Sequence, residues 1–232
     1  MSVQLPNDPA RDDVLAGRPA LWLNPNLKAN GIADQSLPIR AAQVKEAEEN
    51  WQLLAPVLET CFPELKASKG RIQSKLIEAE DLRGALGYGT SEYGRVFVKA
   101  DGDLPVAGSI KARGGVYEVF MHAKKMAEKR GILTPGGDIT VLVGEQARAL
   151  FAQHTIAVGS TGNLGLSVGI AARALGFRAV VHMSSDAKQW KVDRLTRLGV
   201  EVVQHKADYT TAVEHARICL LYTSDAADEG LG

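Results

Sequence analysis

From Thr155 onward the chain follows one repeating pattern, and no other feature narrows its fold as far. Residues 155–158, Thr-Ile-Ala-Val, are a β-prone run, and a Gly/Ser/Thr turn follows. Residues 163–175 then carry a helical pattern that stops at Gly176. Residues 178–183 are a second β run, 186–198 a second helical stretch stopped by Gly199, and 200–203 a third β run. Strands alternating with helices across short links predict an α/β fold, with a parallel sheet and right-handed crossovers.

Upstream the pattern is looser. Residues 1–38 are rich in Pro, Asn and Asp, with one apolar knot at 20–23, and read as an irregular arm pinned by Trp22. Val44, Ala47, Trp51, Leu54 and Leu58 recur at helical spacing, and Pro63 ends that helix. Residues 70–86 carry Ile72, Leu76 and Ile77 on a weaker spacing and are expected to be partly helical. A β-prone run at 96–99 and an Asp101-Gly102-Asp103 turn come next. Ser109 then stands at an N-cap position, and Ala112, Val116, Val119, Phe120, Ala123 and Ala127 mark the buried face of a long helix ending near Gly131. Residues 134–153 are an insertion whose structure the pattern leaves undefined.

Composition removes several function classes. With 27 basic and 27 acidic residues the charge cancels, so nothing favours nucleic acid or an anionic membrane as a partner. The two cysteines, Cys61 and Cys219, are far apart, which argues against a disulfide framework and for a reducing, cytoplasmic setting. No signal-like start is visible, and Gly, Arg or His breaks each apolar run well short of a membrane span. His154, His182 and His205 have no metal-ligand spacing, so no metal is expected.

Two stretches carry chemistry. In Ser109-Ile110-Lys111-Ala112-Arg113-Gly114-Gly115, Lys111 stands in the first turn of an apolar-faced helix, close to Arg113. Burial and a neighbouring cation both favour a neutral, nucleophilic amine. Gly114 and Gly115 let that helix approach a cofactor or a neighbouring strand closely. The second stretch, Ser160-Thr161-Gly162-Asn163-Leu164-Gly165, sits between a strand and a helix. Helix N-terminal N–H groups, the Ser160 and Thr161 hydroxyls and flanking glycines suit a carboxylate or a phosphate. Alone, either stretch also fits an ordinary solvated lysine or a plain capped helix.

Together they resemble the bacterial-type D-serine dehydratases, within the pyridoxal-phosphate fold type II group that includes tryptophan synthase β and threonine dehydratase. The resemblance is close over residues 105–119 and 156–167 and extends through 181–187, Trp190 and Lys191, with weaker echoes at 22–25 and 55–64. It implies a tryptophan synthase β-like parallel-sheet fold, of which this chain supplies the N-terminal part only. It implies that Lys111 forms the Schiff base with pyridoxal 5'-phosphate and that Asn163 hydrogen-bonds the cofactor's ring hydroxyl. Ser160, Thr161, Gly162 and Asn163 would hold the substrate carboxylate. The implied reaction is α,β-elimination of D-serine to pyruvate and ammonia, with D-threonine or L-serine as further small-molecule substrates.

The resemblance also divides the chain into 1–95, an N-terminal arm with helices; 96–217, the α/β region with both motifs; and 218–232, a non-native tail. Residues 219–229 resemble a translated sequencing adaptor, which removes chemical meaning from Cys219. The family's glycine-rich phosphate loop and its pyridine-nitrogen partner lie in a C-terminal half that is missing here, so the fragment is expected neither to hold the cofactor tightly nor to turn over substrate. Two alternatives remain. One is a threonine or L-serine dehydratase of the same fold. The other is a non-catalytic nucleotide-binding α/β module, in which Asp186 after the second strand would take the ribose.

Overall fold

The computed structural model describes residues 10–23, 38–89 and 94–206. The tail at 218–232, including Cys219, and much of the N-terminal arm lie outside the described residues. Those described fall into two compact units, one ending at Lys45 and one beginning at Glu46. The first holds α1 (Arg11–Leu15), a short helix with no buried residue, where Arg18 pairs with Asp13 at 2.8 Å. Trp22 does not pin this segment by burial. It is 57% exposed, and its apolar neighbours Leu21 and Leu23 are more exposed still.

Helix α2 (Ala41–Cys61) buries Leu54, Val57 and Leu58, and Pro63 opens a 3-10 turn immediately after it. Its Asn50 donates to the Tyr117 hydroxyl at 3.1 Å, and Trp51 meets the Tyr117 ring at 5.3 Å between centroids.

The next segment corrects the helical expectation for 70–86. It contains β1 (Leu76–Glu78) and only a short α3 (Glu80–Ala85). β1 pairs antiparallel with β2 (Phe97–Lys99), setting Ile77 opposite Val98. The apolar spacing there was too short to fix a period, and cross-strand pairing of β-branched residues overrode it.

Helix α4 (Lys111–Lys129) buries all six of the anticipated positions, and Gly115 with them. The undefined insertion folds into a 3-10 turn at Ile139–Val143 and α5 (Glu145–Phe151). Asp138 starts it by accepting the Thr140 N–H at 2.9 Å. Ile139, Leu142, Ala147 and Phe151 are buried, and the Phe151 ring stacks on Phe177 with centroids 4.5 Å apart.

The strand–helix alternation is realised as read: β3 (Thr155–Gly159), α6 (Asn163–Leu175), β4 (Arg178–Ser184), α7 (Gln189–Arg197) and β5 (Glu201–His205). The three strands form a parallel sheet in the order β3-β4-β5, with Thr155 beside Arg178 and Val180 beside Glu201. Gly176 ends α6 in the left-handed region (φ 101°), and the Phe177 N–H closes back on the Ala172 carbonyl at 3.0 Å. Helix α7 begins later than its pattern suggests, because Asp186 and Ala187 belong to a turn in which the Ala187 N–H reaches the Ser184 carbonyl at 3.1 Å.

Helix α6 is the hub of this unit. It lies on β3 and β4, touches α7, and carries α4 on its other flank. A Cβ on Gly165 would come within 2.8 Å of Val181 in β4, and one on Gly169 within 2.9 Å of Leu195 in α7. Leu166, Leu175, Val181, Met183 and Leu195 are fully buried around it. A side chain buried this completely contributes about 1.5–3 kcal/mol relative to exposure. The core therefore fixes where the N-terminal ends of α4 and α6 point.

Candidate active site

The chain enters α4 through a tight loop. The Ser109 carbonyl accepts the Ala112 N–H at 3.0 Å, and its hydroxyl accepts the Lys111 N–H at 3.2 Å. Ser109 thus satisfies donors of the first turn, as an N-cap would, although the helix proper starts at Lys111. Lys111 itself is exposed, which corrects the expectation of a buried amine. Its turn faces outward, onto an open hollow of about 510 Å³.

Ile110, Lys111, Gly114 and Glu118 form one wall of this hollow, and Leu164 and Val168 of α6 form the other. The first set repeats at helical spacing, so Glu118 was discoverable as the next residue on the Lys111 face. The two glycines have separate tasks. At Gly115 a Cβ would stand 2.3 Å from the Ser167 hydroxyl oxygen, so its missing side chain lets α4 and α6 touch; the protein neighbour is a helix and not a strand. At Gly114 nothing lies within 4 Å of the same position, and the wall beside Lys111 is left flat.

The anion turn enters the hollow only at its end. Ser160 is 5% exposed; its N–H donates to the His182 carbonyl at 2.8 Å and its hydroxyl accepts the Gly162 N–H at 3.3 Å. Thr161 is hydrogen-bonded to Ser184 at the end of β4. Gly162 is the N-cap of α6, and among the described residues no side chain caps that helix. Asn163, half-buried, opens the helix, and Leu164 reaches the hollow. The structure therefore brings Lys111 and the first turn of α6 to one opening, while Ser160 and Thr161 buttress the turn from behind.

The surrounding charges are ordinary. Asp101 is held below the usual carboxylate value by hydrogen bonds from Lys99 and Ser74, with the Lys99 and Arg113 charges adding to the effect. Asp186 does stand just past β4, where the nucleotide-module alternative needs an acid, but its carboxylate accepts a hydrogen bond from Ser184. His182 and His205, scattered in sequence, meet across β4 and β5 with Nδ1 and Nε2 2.9 Å apart. Among the described residues no group of three or more His, Cys, Asp or Glu is placed to hold a metal ion. No helix among them is long and apolar enough to cross a membrane.

The residues present fit pyridoxal phosphate at its reactive end. An amine stands at the hollow's edge, a side-chain-free wall lies beside it, and an uncapped helix N-terminus ends opposite.

Comparison with known proteins agrees. A probable D-serine dehydratase of Rhizobium etli (strain CIAT 652) is 64% identical over 217 residues, covering 94% of this chain and 48% of the relative. One from Bacillus mycoides (strain KBAB4) is 43% identical over 212 residues, covering 90% of this chain and 48% of the relative. The chain thus spans about half the length of the curated relatives it matches. Among solved structures, the apo form of Escherichia coli diaminopropionate ammonia lyase shares the fold at TM-score 0.56 and 21% identity, over 81% of this chain and 47% of that one. The family model for pyridoxal-phosphate dependent enzymes matches residues 68–229, and the chain belongs to that family.

Proposed function

We propose that this chain is the lysine-bearing part of a pyridoxal-phosphate-dependent D-serine dehydratase, which eliminates water from D-serine and releases aminoacrylate, whose hydrolysis takes up water and gives pyruvate and ammonia. The observation that carries the reading is the shared hollow, where Lys111 of α4 faces the first turn of α6. The 64% identity to a probable D-serine dehydratase supports the choice of substrate over the L-serine and L-threonine alternatives.

In this reading Lys111 and Asn163 hold the cofactor, which supplies an aldehyde and an electron-withdrawing ring when bound. The N–H groups that open α6 take the substrate carboxylate, a charge that the helix N-terminus favours. Fixing the carboxylate fixes which Cα bond points at Lys111. Its ε-amine, once unprotonated, accepts the Cα proton, and the β-hydroxyl departs with a proton as water. Ser160 and Thr161 keep the turn in place from behind. With that turn given to the carboxylate, the cofactor's phosphate falls to the glycine-rich loop that the resemblance places in the family's second half, and no run of three glycines occurs in this sequence.

Borohydride reduction, with pyridoxal phosphate, of a fusion of residues 10–206 to the second half of the Rhizobium etli relative, followed by peptide mass analysis, tests the first part: a phosphopyridoxyl group is expected on Lys111 in preference to the other lysines. Turnover by the same fusion tests the second, and pyruvate is expected from D-serine well ahead of L-serine or L-threonine. Label spread evenly over the lysines, or a preference for an L-substrate, overturns the reading.

A further inference from the structure

We propose that Arg194 is a positioning residue for Lys111, acting through the backbone of Val106. The loop that leads into α4 passes twice through the left-handed region, at Val106 (φ 75°) and at Gly108 (φ 66°). Glycine takes that conformation without steric conflict, whereas a β-branched residue there is strained. The strain is held inside the protein. Val106 is 5% exposed, and the Ala107 N–H turns back to the Pro105 carbonyl at 3.0 Å, which closes a γ-turn centred on Val106. The Gly108 N–H then reaches the Leu104 carbonyl at 2.9 Å.

What holds the centre of this turn comes from far away in the chain. The Arg194 guanidinium donates from Nη2 to the Val106 carbonyl at 2.7 Å, across a separation of 88 residues, in a partly buried setting. The donor is charged and permanently protonated, so this bond is stronger than an ordinary amide contact. Its base is rigid, because the neighbouring Leu195 is fully buried against α6 beside Gly169. Helix α7 therefore reaches over to the loop and fixes the carbonyl that the strained turn presents. With the guanidinium gone, Val106 can relax to an unstrained φ. That rotates the segment up to Ser109 and re-aims the first turn of α4, where Lys111 stands.

The consequence for chemistry rests on Lys111 carrying the cofactor as proposed above, and the test separates the two. Hydrogen exchange on the full 232-residue chain, without cofactor, reads the loop directly. Arg194→Met is expected to speed exchange of the Ala107, Gly108 and Lys111 amides about tenfold, with the melting temperature little changed. Arg194→Lys, which keeps one donor, is expected to recover most of the protection. In a Val106→Gly background, where no strain remains, Arg194→Met is expected to have little effect. Borohydride trapping in the fusion with the Rhizobium etli half then reads the consequence, as a lower share of phosphopyridoxyl label on Lys111 in the Met variant. Unchanged exchange in Arg194→Met, or an equal loss with and without Val106→Gly, overturns the proposal. Failure of the unsubstituted fusion to label at Lys111 overturns the proposed function instead, and the exchange comparison still decides the role of Arg194.

Discussion

The hydroxyl oxygens of Thr161 and Ser184 lie 2.9 Å apart, joining the turn before α6 to the last residue of β4. Ser184 also donates to Asp186, and an ionised carboxylate can only accept. Ser184 has one proton to give, so it accepts from Thr161, whose oxygen in turn lies 3.4 Å from the Ser184 N–H. The Thr161 hydroxyl proton is therefore committed to the protein. Thr161 is thereby removed as a donor to an anion, and the backbone N–H groups of α6, the Asn163 amide and the Ser160 hydroxyl, which only accepts from Gly162, remain.

Ser184→Ala breaks this chain at its middle. The expected cost is about 1 kcal/mol of stability, read by urea denaturation. In the fusion with the Rhizobium etli half, KM for D-serine is expected to rise several-fold with kcat little changed, because the turn loosens while Lys111 does not move. Unaltered stability and KM together would refute the buttressing role.

The adjacent glycines of α4 are predicted to respond in opposite directions. Gly115→Ala places a methyl group against Ser167 and is expected to destabilise the chain by about 1–3 kcal/mol. Gly114→Ala meets nothing within 4 Å and is expected to stabilise the helix by about 0.5–1 kcal/mol. The same Ala narrows the hollow, so labelling of Lys111 by pyridoxal phosphate and borohydride is expected to fall. Thermal melts of both variants, with labelling of the second, check the pair.

Cys61 is predicted to be a slow thiol. Burial pushes its pKa from an ordinary 9.0 up to about 11, against a smaller opposing effect of the Arg148 charge. Its thiolate fraction at pH 8 is then roughly a hundredfold below that of an exposed thiol. Iodoacetamide labelling, resolved by peptide mass, is expected to accelerate about tenfold per pH unit until the pH nears that value. Labelling at the rate of a free thiol at pH 8 would contradict the burial.

Asp138 makes one turn sensitive to acid. The Thr140 backbone N–H, and then the Thr140 side chain, hold its carboxyl below the ordinary 3.8. A carboxyl with a depressed folded pKa contributes its full stability above the unfolded value and loses it as pH falls through the folded one. Melting temperature followed from about pH 5 down to pH 2 is expected to fall less steeply in Asp138→Asn than in the parent chain. Identical acid slopes would remove Asp138 from the account.

What the sequence disclosed depended on how local each cause was. Helices α2 and α4 were legible because each buries one face at a regular period, strands β3 to β5 because each is a short β-branched run between helices, and α6 because Gly176 stops it with a purely local conformation. β1 was not legible, since its partner β2 is remote and three residues carry no period. The insertion at 134–153 takes its shape from the contact of Phe151 with Phe177, which no local pattern encodes. At the site, Lys111 and the Asn163 turn were legible as motifs. The outward exposure of Lys111, the commitment of Thr161 to Ser184 and the reach of Arg194 to Val106 all depend on distant pieces of chain.

The glycine contacts of α6 have one more consequence. Gly115 meets Ser167, Gly165 meets Val181 and Gly169 meets Leu195 with no side chain of their own between them. The separation of α4 from the sheet is therefore gauged by bare backbone, and exchanging large side chains elsewhere does not reset it. Ile110, Leu164 and Val168, which line the hollow, can vary in size and reshape it while the span from Lys111 to the first turn of α6 stays constant. Such a frame lets the lining of a cavity change while its two walls keep their distance.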